Sequence, residues 1–494
     1  MSNGVHQGVA ALLLSAVACG LAQGAQASRA LGTLELEPCT LSAIGMPVTV
    51  AAQCTELDVP EDRARPGGRR VQLAIAIVPS EAKRPRPDPV FMLAGGPGQS
   101  ARQSYPSVAA AFHGVLRKRD VVLVDQRGTG GSNPLACREE EGEGPGGSDD
   151  ADADESRRLA ERCLAGIDGD PRFYTTSDAV LDLEAVREAI GAQVINLVGI
   201  SYGTRVAQEY LRRYPSRTRT VVLDGIVPPQ LALGSDHARN LDAALKMQFA
   251  RCAADATCAQ RFGSPQATLN DLLTRLRSKP EVVTYRDPLT YELRSETLTA
   301  GTVAGVARLY AYVPQLAAML PVSLAEAAAG RPEVLMAQAR MIESLVGEQI
   351  MHGMQLSVAC TEDADLLQVN PADAKTLMGT AFVDTLKTQC AVWPRGRMPK
   401  DFHDPVRSDR PALLLSGEFD PVTPPRYGKQ VLATFPNGRH LVARGRGHNV
   451  IVAGCMPRLM ARFIDTADAA RLDASCLDQL TYTPPFTGAY GWEP

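Results

Sequence analysis

Ser201 stands between Gly199 and Gly203 in "NLVGISYGTR", after a short apolar run and before a helical pattern. A serine hydroxyl becomes a strong nucleophile when a base takes its proton, an acid orients that base, and N–H donors meet the developing oxyanion. The neighbouring residues suit that task. Gln193 to Gly199 is rich in Val and Ile and reads as a buried strand. Thr204 to Pro215 sets Val206, Tyr210, Leu211 and Tyr214 at near-helical spacing, with Pro215 as the stop. Glycines on both sides of the serine would allow strained dihedrals and close approach in a tight turn. The helix N-terminus behind it favours negative charge. The chemistry implied is acyl transfer through Ser201.

The chain has seven histidines. His6 lies in the N-terminal leader. His113, His237, His352, His403 and His440 lack a loop context after a core strand or fall in a helical insertion. His448 follows a strand in "GRGHNV", where glycines would let the loop carry the imidazole over the serine. Asp420 closes the buried run "ALLLSGEFD" and is followed by the stiff "PVTPP". Asp224, at the end of the strand after the serine helix, is the rival acid, or a turn-forming Asp before Gly225. The order Ser201, Asp420, His448 is that of a strand–elbow–helix hydrolase. Oxyanion donors are expected from the backbone N–H of Tyr202 and from the loop "GGPG", with Gly96 as the second donor.

These residues need a scaffold. Buried strands are expected at "DPVFMLAGGPGQS" and "RDVVLVDQRGTGGS", after antiparallel strands between Thr33 and Pro79. A helix is expected from an N-cap at Ser177 to a stop at Gly191. Strands alternating with helices imply a mostly parallel sheet with helices on both faces. From about Pro228 to Pro405 the chain turns Ala- and Leu-rich, with helical periodicity and no obvious buried strand. The expected organisation is a leader over 1–27, a first core part over 28–227, a helical cap insertion over 228–405, and a second core part over 406–494.

At 494 residues the chain is too long for one simple core. Its net charge of -4 and pI near 6.1 give no basis for nucleic-acid binding. "VAALLLSAVACGLA" followed by "AQA" fits a signal peptide, although no Lys or Arg precedes it; Cys19 is also a possible lipoprotein site. No later stretch is long and apolar enough to span a membrane. Without Cys19 the cysteines number ten: Cys39, Cys54, Cys137, Cys163, Cys252, Cys258, Cys360, Cys390, Cys455 and Cys476. None forms a CxxC pair or a metal-like cluster, so five disulfides, bridging sequence neighbours, and export to the periplasm or outside the cell are expected. No metal or other cofactor is expected. The acidic run from Glu139 to Glu155 reads as a solvated loop.

The motifs "GGPG", "DQRGTGGS", "GISYG", "GEFDPVTP" and "GRGH", in that order, resemble the proline iminopeptidase and tripeptidyl aminopeptidase group of α/β-hydrolase serine peptidases. The likeness covers nearly the whole mature chain and is strongest to the exported tripeptidyl-aminopeptidase-like branch. It implies an α/β-hydrolase fold and peptide substrates with free N-termini, cleaved to release single residues or short units. Ala94 departs from the group, whose iminopeptidases usually carry a His before the two glycines. In the group, cap acids bind the substrate's α-amine; "SVACTEDAD" resembles that segment and points to Glu362, with Asp363 beside it. "CAVWP" resembles the group's second cap cysteine, Cys390. A secreted esterase or amide hydrolase of a small molecule would use the same triad.

Overall fold

The computed structural model describes residues 28–137, 153–347, 349–488 and 491. The leader with Cys19, and the acidic run up to residue 152, lie outside the described residues. The last acidic residues of that run, Asp154 and Glu155, form the first turn of a helix, Ala153–Gly166.

Ten strands make one sheet. β1 (Arg29–Leu31), β2 (Leu34–Ser42), β3 (Thr49–Pro60) and β4 (Arg70–Val78) run antiparallel. β5 (Val90–Leu93), β6 (Val121–Val124), β7 (Ile195–Ile200) and β8 (Thr218–Asp224) continue the sheet. After a two-stranded hairpin, β9 (Glu281–Arg286) and β10 (Leu293–Leu298), it is completed by β11 (Ala412–Gly417) and β12 (Gly438–Ala443). The spatial order is β1-β2-β3-β4-β6-β5-β7-β8-β11-β12. From β6 to β12 every pairing is parallel. Strands β5 to β8 and β11 are almost wholly buried, as continuous apolar runs between two helical layers must be. One apolar layer collects Val206, Tyr210 and Leu211 of the serine helix. The other collects Met460, Phe463 and Ile464 of the helix Met456–Thr466.

Two local expectations shift. The helix expected from Ser177 spans Thr176–Ala189 and is capped by Thr175, whose hydroxyl accepts from Asp178 N. The helix expected from Thr204 begins at Tyr202 and ends at Arg213. Threonine is also a favoured N-cap residue, so composition alone left the boundary two residues loose.

Between β8 and β11 the chain is mainly helical, around its own apolar cluster of Leu241, Leu245, Leu272, Val303 and Leu324. The β9–β10 hairpin within it was not expected. Its alternation is half-exposed, with Val282 and Leu293 facing outward, so it carries no buried apolar run to mark it. Disulfides join Cys39–Cys54, Cys137–Cys163, Cys252–Cys258, Cys360–Cys390 and Cys455–Cys476. Among the described residues no helix is long and apolar enough to cross a membrane.

Candidate active site

Ser201 occupies the turn between β7 and the helix Tyr202–Arg213, with φ 54° and ψ −123°. A serine at positive φ is a strained position that its surroundings must hold. They do so through the backbone: Ser201 N–H donates to Asp224 O over 2.8 Å. The two flanking glycines serve close approach rather than unusual dihedrals. A Cβ on Gly199 would collide with Gly203 O, and one on Gly203 with Leu93 O. The strain therefore sits on the serine itself, and the glycines let the elbow nest against β5.

The loop after β5 lies beside the serine. A Cβ on Gly95 would come 3.1 Å from Ser201 Cβ. Gly96 follows with φ 104°, which only glycine adopts easily. Tyr202 is the first residue of the helix, so its N–H has no intrahelical acceptor and is free for a ligand. Its side chain turns away, with the phenol 2.6 Å from Thr176 Oγ1.

His448 and Asp420 meet at the ends of β12 and β11. His448 Nδ1 lies 2.8 Å from Asp420 Oδ2. Asp420 also accepts from Val422 N, Thr423 N and Thr423 Oγ1, each within 2.8 Å. With Nδ1–H directed at the carboxylate, Nε2 is the nitrogen left to accept a proton. Burial alone would raise the Asp420 pKa, but the imidazole and the N–H donors outweigh it and hold the carboxyl below its ordinary value. Burial alone would depress His448; the charge and hydrogen bond of Asp420, with Asp224 adding, raise it instead. Among the described residues no hydrogen bond joins Ser201 Oγ to His448. Such contacts commonly tighten only when substrate binds.

Asp224, the rival acid, faces the same loop in another role. Its carboxylate oxygens accept from Val450 N (2.9 Å) and Ile451 N (2.8 Å), just beyond the histidine. Burial pushes its pKa up to about 6, against those two N–H bonds. It holds the backbone of the histidine loop and leaves the imidazole to Asp420. Close packing holds that loop too: a Cβ on its Gly447 would collide with Tyr312 O, and one on Gly417, at the end of β11, with Gly447 O.

Glu362 and Asp363 do not form an open amine pocket, and that expectation is corrected. Glu362 ends the helix His352–Glu362 and is 1% exposed; Asp363 is fully buried. Glu362 accepts from Thr176 N (2.6 Å) and Thr176 Oγ1 (3.0 Å), and Arg205 Nη1 lies 3.4 Å away. Asp363 takes Arg205 Nη1 at 2.8 Å and Leu233 N at 3.1 Å. The two acids are thus already matched by Arg205, on the serine helix. The signal was present in "GISYGTR": a buried arginine on that helix requires buried carboxylates.

Three further residues went unread because nothing in their sequence context marks them. Tyr312 O accepts from His448 N (2.9 Å), and its ring stands edge-on to the imidazole with centroids 5.3 Å apart. Met351 N donates to Gly98 O (3.0 Å), in the glycine-rich loop after β5. Asn240 Nδ2 donates to Val422 O (2.7 Å), beside Asp420. The insertion thus touches each loop that would carry the chemistry.

A strained serine elbow on a parallel sheet, with a buried Asp–His pair on later strands of that sheet, defines a hydrolase architecture. The chain belongs to the alpha/beta hydrolase fold family, which it matches over residues 88–454. It is 24% identical to serine protease Hip1 of Mycobacterium tuberculosis, over 95% of this chain and 96% of that protein. It is 30% identical to the tripeptidyl aminopeptidase of Streptomyces coelicolor, over 36% of this chain and 35% of that protein. A 146-residue stretch, 30% of this chain and 35% of the relative, is 30% identical to the proline iminopeptidase of Neisseria gonorrhoeae.

Proposed function

We propose that this protein is an exported serine aminopeptidase that releases single residues or short units, tripeptides included, from free peptide N-termini. Ser201 attacks the scissile carbonyl, and His448 takes its proton at Nε2 and returns it to the leaving amine. Asp420 holds the imidazole and supports the imidazolium. The N–H groups of Tyr202 and Gly96 receive the oxyanion. Water then resolves the acyl-enzyme by the same steps in reverse.

The observation that carries the reading is the 2.8 Å His448–Asp420 pair at the sheet end that bears the Ser201 elbow. The peptidase class is supported by the relatives above, Hip1 along almost its full length. Export is supported by five disulfides, a feature of oxidising compartments.

The test compares a free-amine peptide anilide with its N-acetylated twin. A peptide α-amine has a pKa of about 8 and is mostly protonated at neutral pH. Cleavage of the free-amine substrate, with the acetylated one refused, is the expected result. Equal cleavage of both removes the exopeptidase reading, and hydrolysis of small esters alone replaces it with a secreted esterase.

A further inference from the structure

The cap wall that touches His448 carries a cation without an anion. Arg308 and Tyr312 lie one turn apart at the end of the helix Ala300–Ala311. The Arg308 guanidinium sits 5.3 Å from the centroid of Phe382, and its charge works against the burial that raises the Tyr312 phenol pKa. Tyr312 in turn rests on the imidazole of His448. His237 packs on the same Phe382, with ring centroids 5.2 Å apart. Its Nδ1 is buried and has no hydrogen-bond partner in the structure.

The carboxylates whose charge reaches His237 and His448 are engaged elsewhere. Asp236 is drawn to Tyr427 Oη (2.6 Å) and to Arg239. Asp420 is filled by His448, Thr423 and the N–H of Val422. Asp224 is filled by Val450 and Ile451. Among the described residues Arg308 forms no ion pair. A guanidinium left without its anion beside a reactive centre is suited to a planar, two-oxygen ligand.

Resting on the serine-hydrolase reading of this site, we propose that Arg308, with the Tyr312 hydroxyl and His237 Nδ1, forms a carboxylate-binding subsite next to His448. The preferred substrate then carries a carboxylate close to the bond that is cut. Two sources offer it: the side chain of Glu or Asp in the peptide, or the free C-terminus of a short peptide. Burial, with Arg308 adding, pushes the His237 pKa down to about 3. The ring is therefore neutral at working pH, and one tautomer presents Nδ1–H as a donor.

The experiment measures kcat/KM on paired substrates that differ only in charge. Free-amine tripeptide 4-nitroanilides carry Glu or Gln at each position in turn. Tetra-alanine is compared with tetra-alanine amide. The 4-nitrophenyl hemiester of glutaric acid is compared with 4-nitrophenyl valerate, a pair that requires no peptidase activity.

Wild type should favour the anionic member of at least one pair by about ten- to a hundredfold, the scale of one or two charge-assisted hydrogen bonds. Arg308→Met should bring that ratio towards one, and Arg308→Lys should restore part of it. Tyr312→Phe, which keeps the ring on His448, should lower the ratio as well and supplies a second variant if Arg308→Met fails to fold. A preference confined to the anilides names the side chain as the source; one confined to tetra-alanine names the C-terminus. A preference in the ester pair, with none of the peptides cleaved, supports the subsite and overturns the peptidase reading. No preference in any pair, or a preference that survives Arg308→Met, overturns the subsite.

Discussion

Two buried junctions adjoin the serine helix, and each sets two carboxylates beside one nitrogen base. At its start, Asp420 and Asp224 face His448 and its loop. Farther along, Glu362 and Asp363 face Arg205. Burial is nearly complete in both. The base makes the difference. An imidazole can gain and lose a proton near neutrality, whereas a guanidinium is always charged. The first junction can move a proton. The second can only hold two pieces of chain together, here the cap helix His352–Glu362 and the serine helix. A buried acid cluster is therefore not evidence of a binding site until its counter-charge has been found.

The sharpest way to break this contrast is to remove the proposed nucleophile, Ser201, beside the first junction. Ser201→Ala should reduce turnover by about a million-fold, the scale for loss of a hydrolase nucleophile. The melting temperature should hold, because the hydroxyl contributes little to the core. A fluorophosphonate probe should label wild type at Ser201 and leave the variant unlabelled. Residual turnover close to wild type would place the chemistry elsewhere.

The next test separates the two acids of the first junction. Asp420→Asn should cost about ten-thousand-fold in kcat, since the histidine tautomer and imidazolium lose their support. Asp224→Asn removes one of two acceptors for the loop N–H groups. It should cost about 1–3 kcal/mol of stability, the scale of a buried donor left unpaired, and far less turnover than Asp420→Asn. Urea unfolding and steady-state kinetics on both variants check this. Reversed effects would make Asp224 the catalytic acid.

Much of this arrangement was legible in the sequence, for identifiable reasons. The elbow was visible because Ser201 sits between an apolar β-branched run and a helical pattern, two strong local signals. Asp420 and His448 were visible because each follows a core strand. Sequence neighbours proved to be the disulfide partners, since pairs such as Cys252 and Cys258 lie within one small piece of chain. The role of Tyr312 was invisible: it depends on a main-chain oxygen meeting a loop more than a hundred residues away. The roles of Glu362 and Asp363 were misread because an acidic cluster looks the same with or without a buried arginine against it.

The second junction should fail as a structural element. Arg205→Met leaves Asp363, and Glu362 when ionised, without the buried cation. Breaking a buried pair by removing one partner costs about 3–5 kcal/mol. The loss should appear as a lower urea midpoint. Adding Asp363→Leu should recover part of it, because the remaining uncompensated charge is then gone. Unchanged stability in Arg205→Met would mean that the cap is held by its apolar contacts alone.

A pH-dependent effect concerns how the second junction balances its charge. Two carboxylates against one guanidinium leave one negative charge too many in a buried place. Burial raises the Glu362 pKa to about 8 in spite of Arg205, so the folded protein keeps this proton at neutral pH. With Glu362 neutral, the excess negative charge beside Arg205 is removed. An unfolded glutamate releases its proton near pH 4.3. Between that value and about 8 the folded state holds one proton more than the unfolded state. Stability from this group is therefore complete below the unfolded pKa, falls as pH rises towards 8, and is flat above it. The slope is at most about 1.4 kcal/mol per pH unit. Gln is shaped like the protonated acid and does not titrate, so Glu362→Gln should remove this slope. Urea unfolding of wild type and variant at intervals from pH 5 to 9 gives the difference. The variant should gain on wild type up to about pH 8 and then run parallel to it. Parallel curves throughout would show that Glu362 is ionised in the folded protein, and that Arg205 carries both carboxylates as anions.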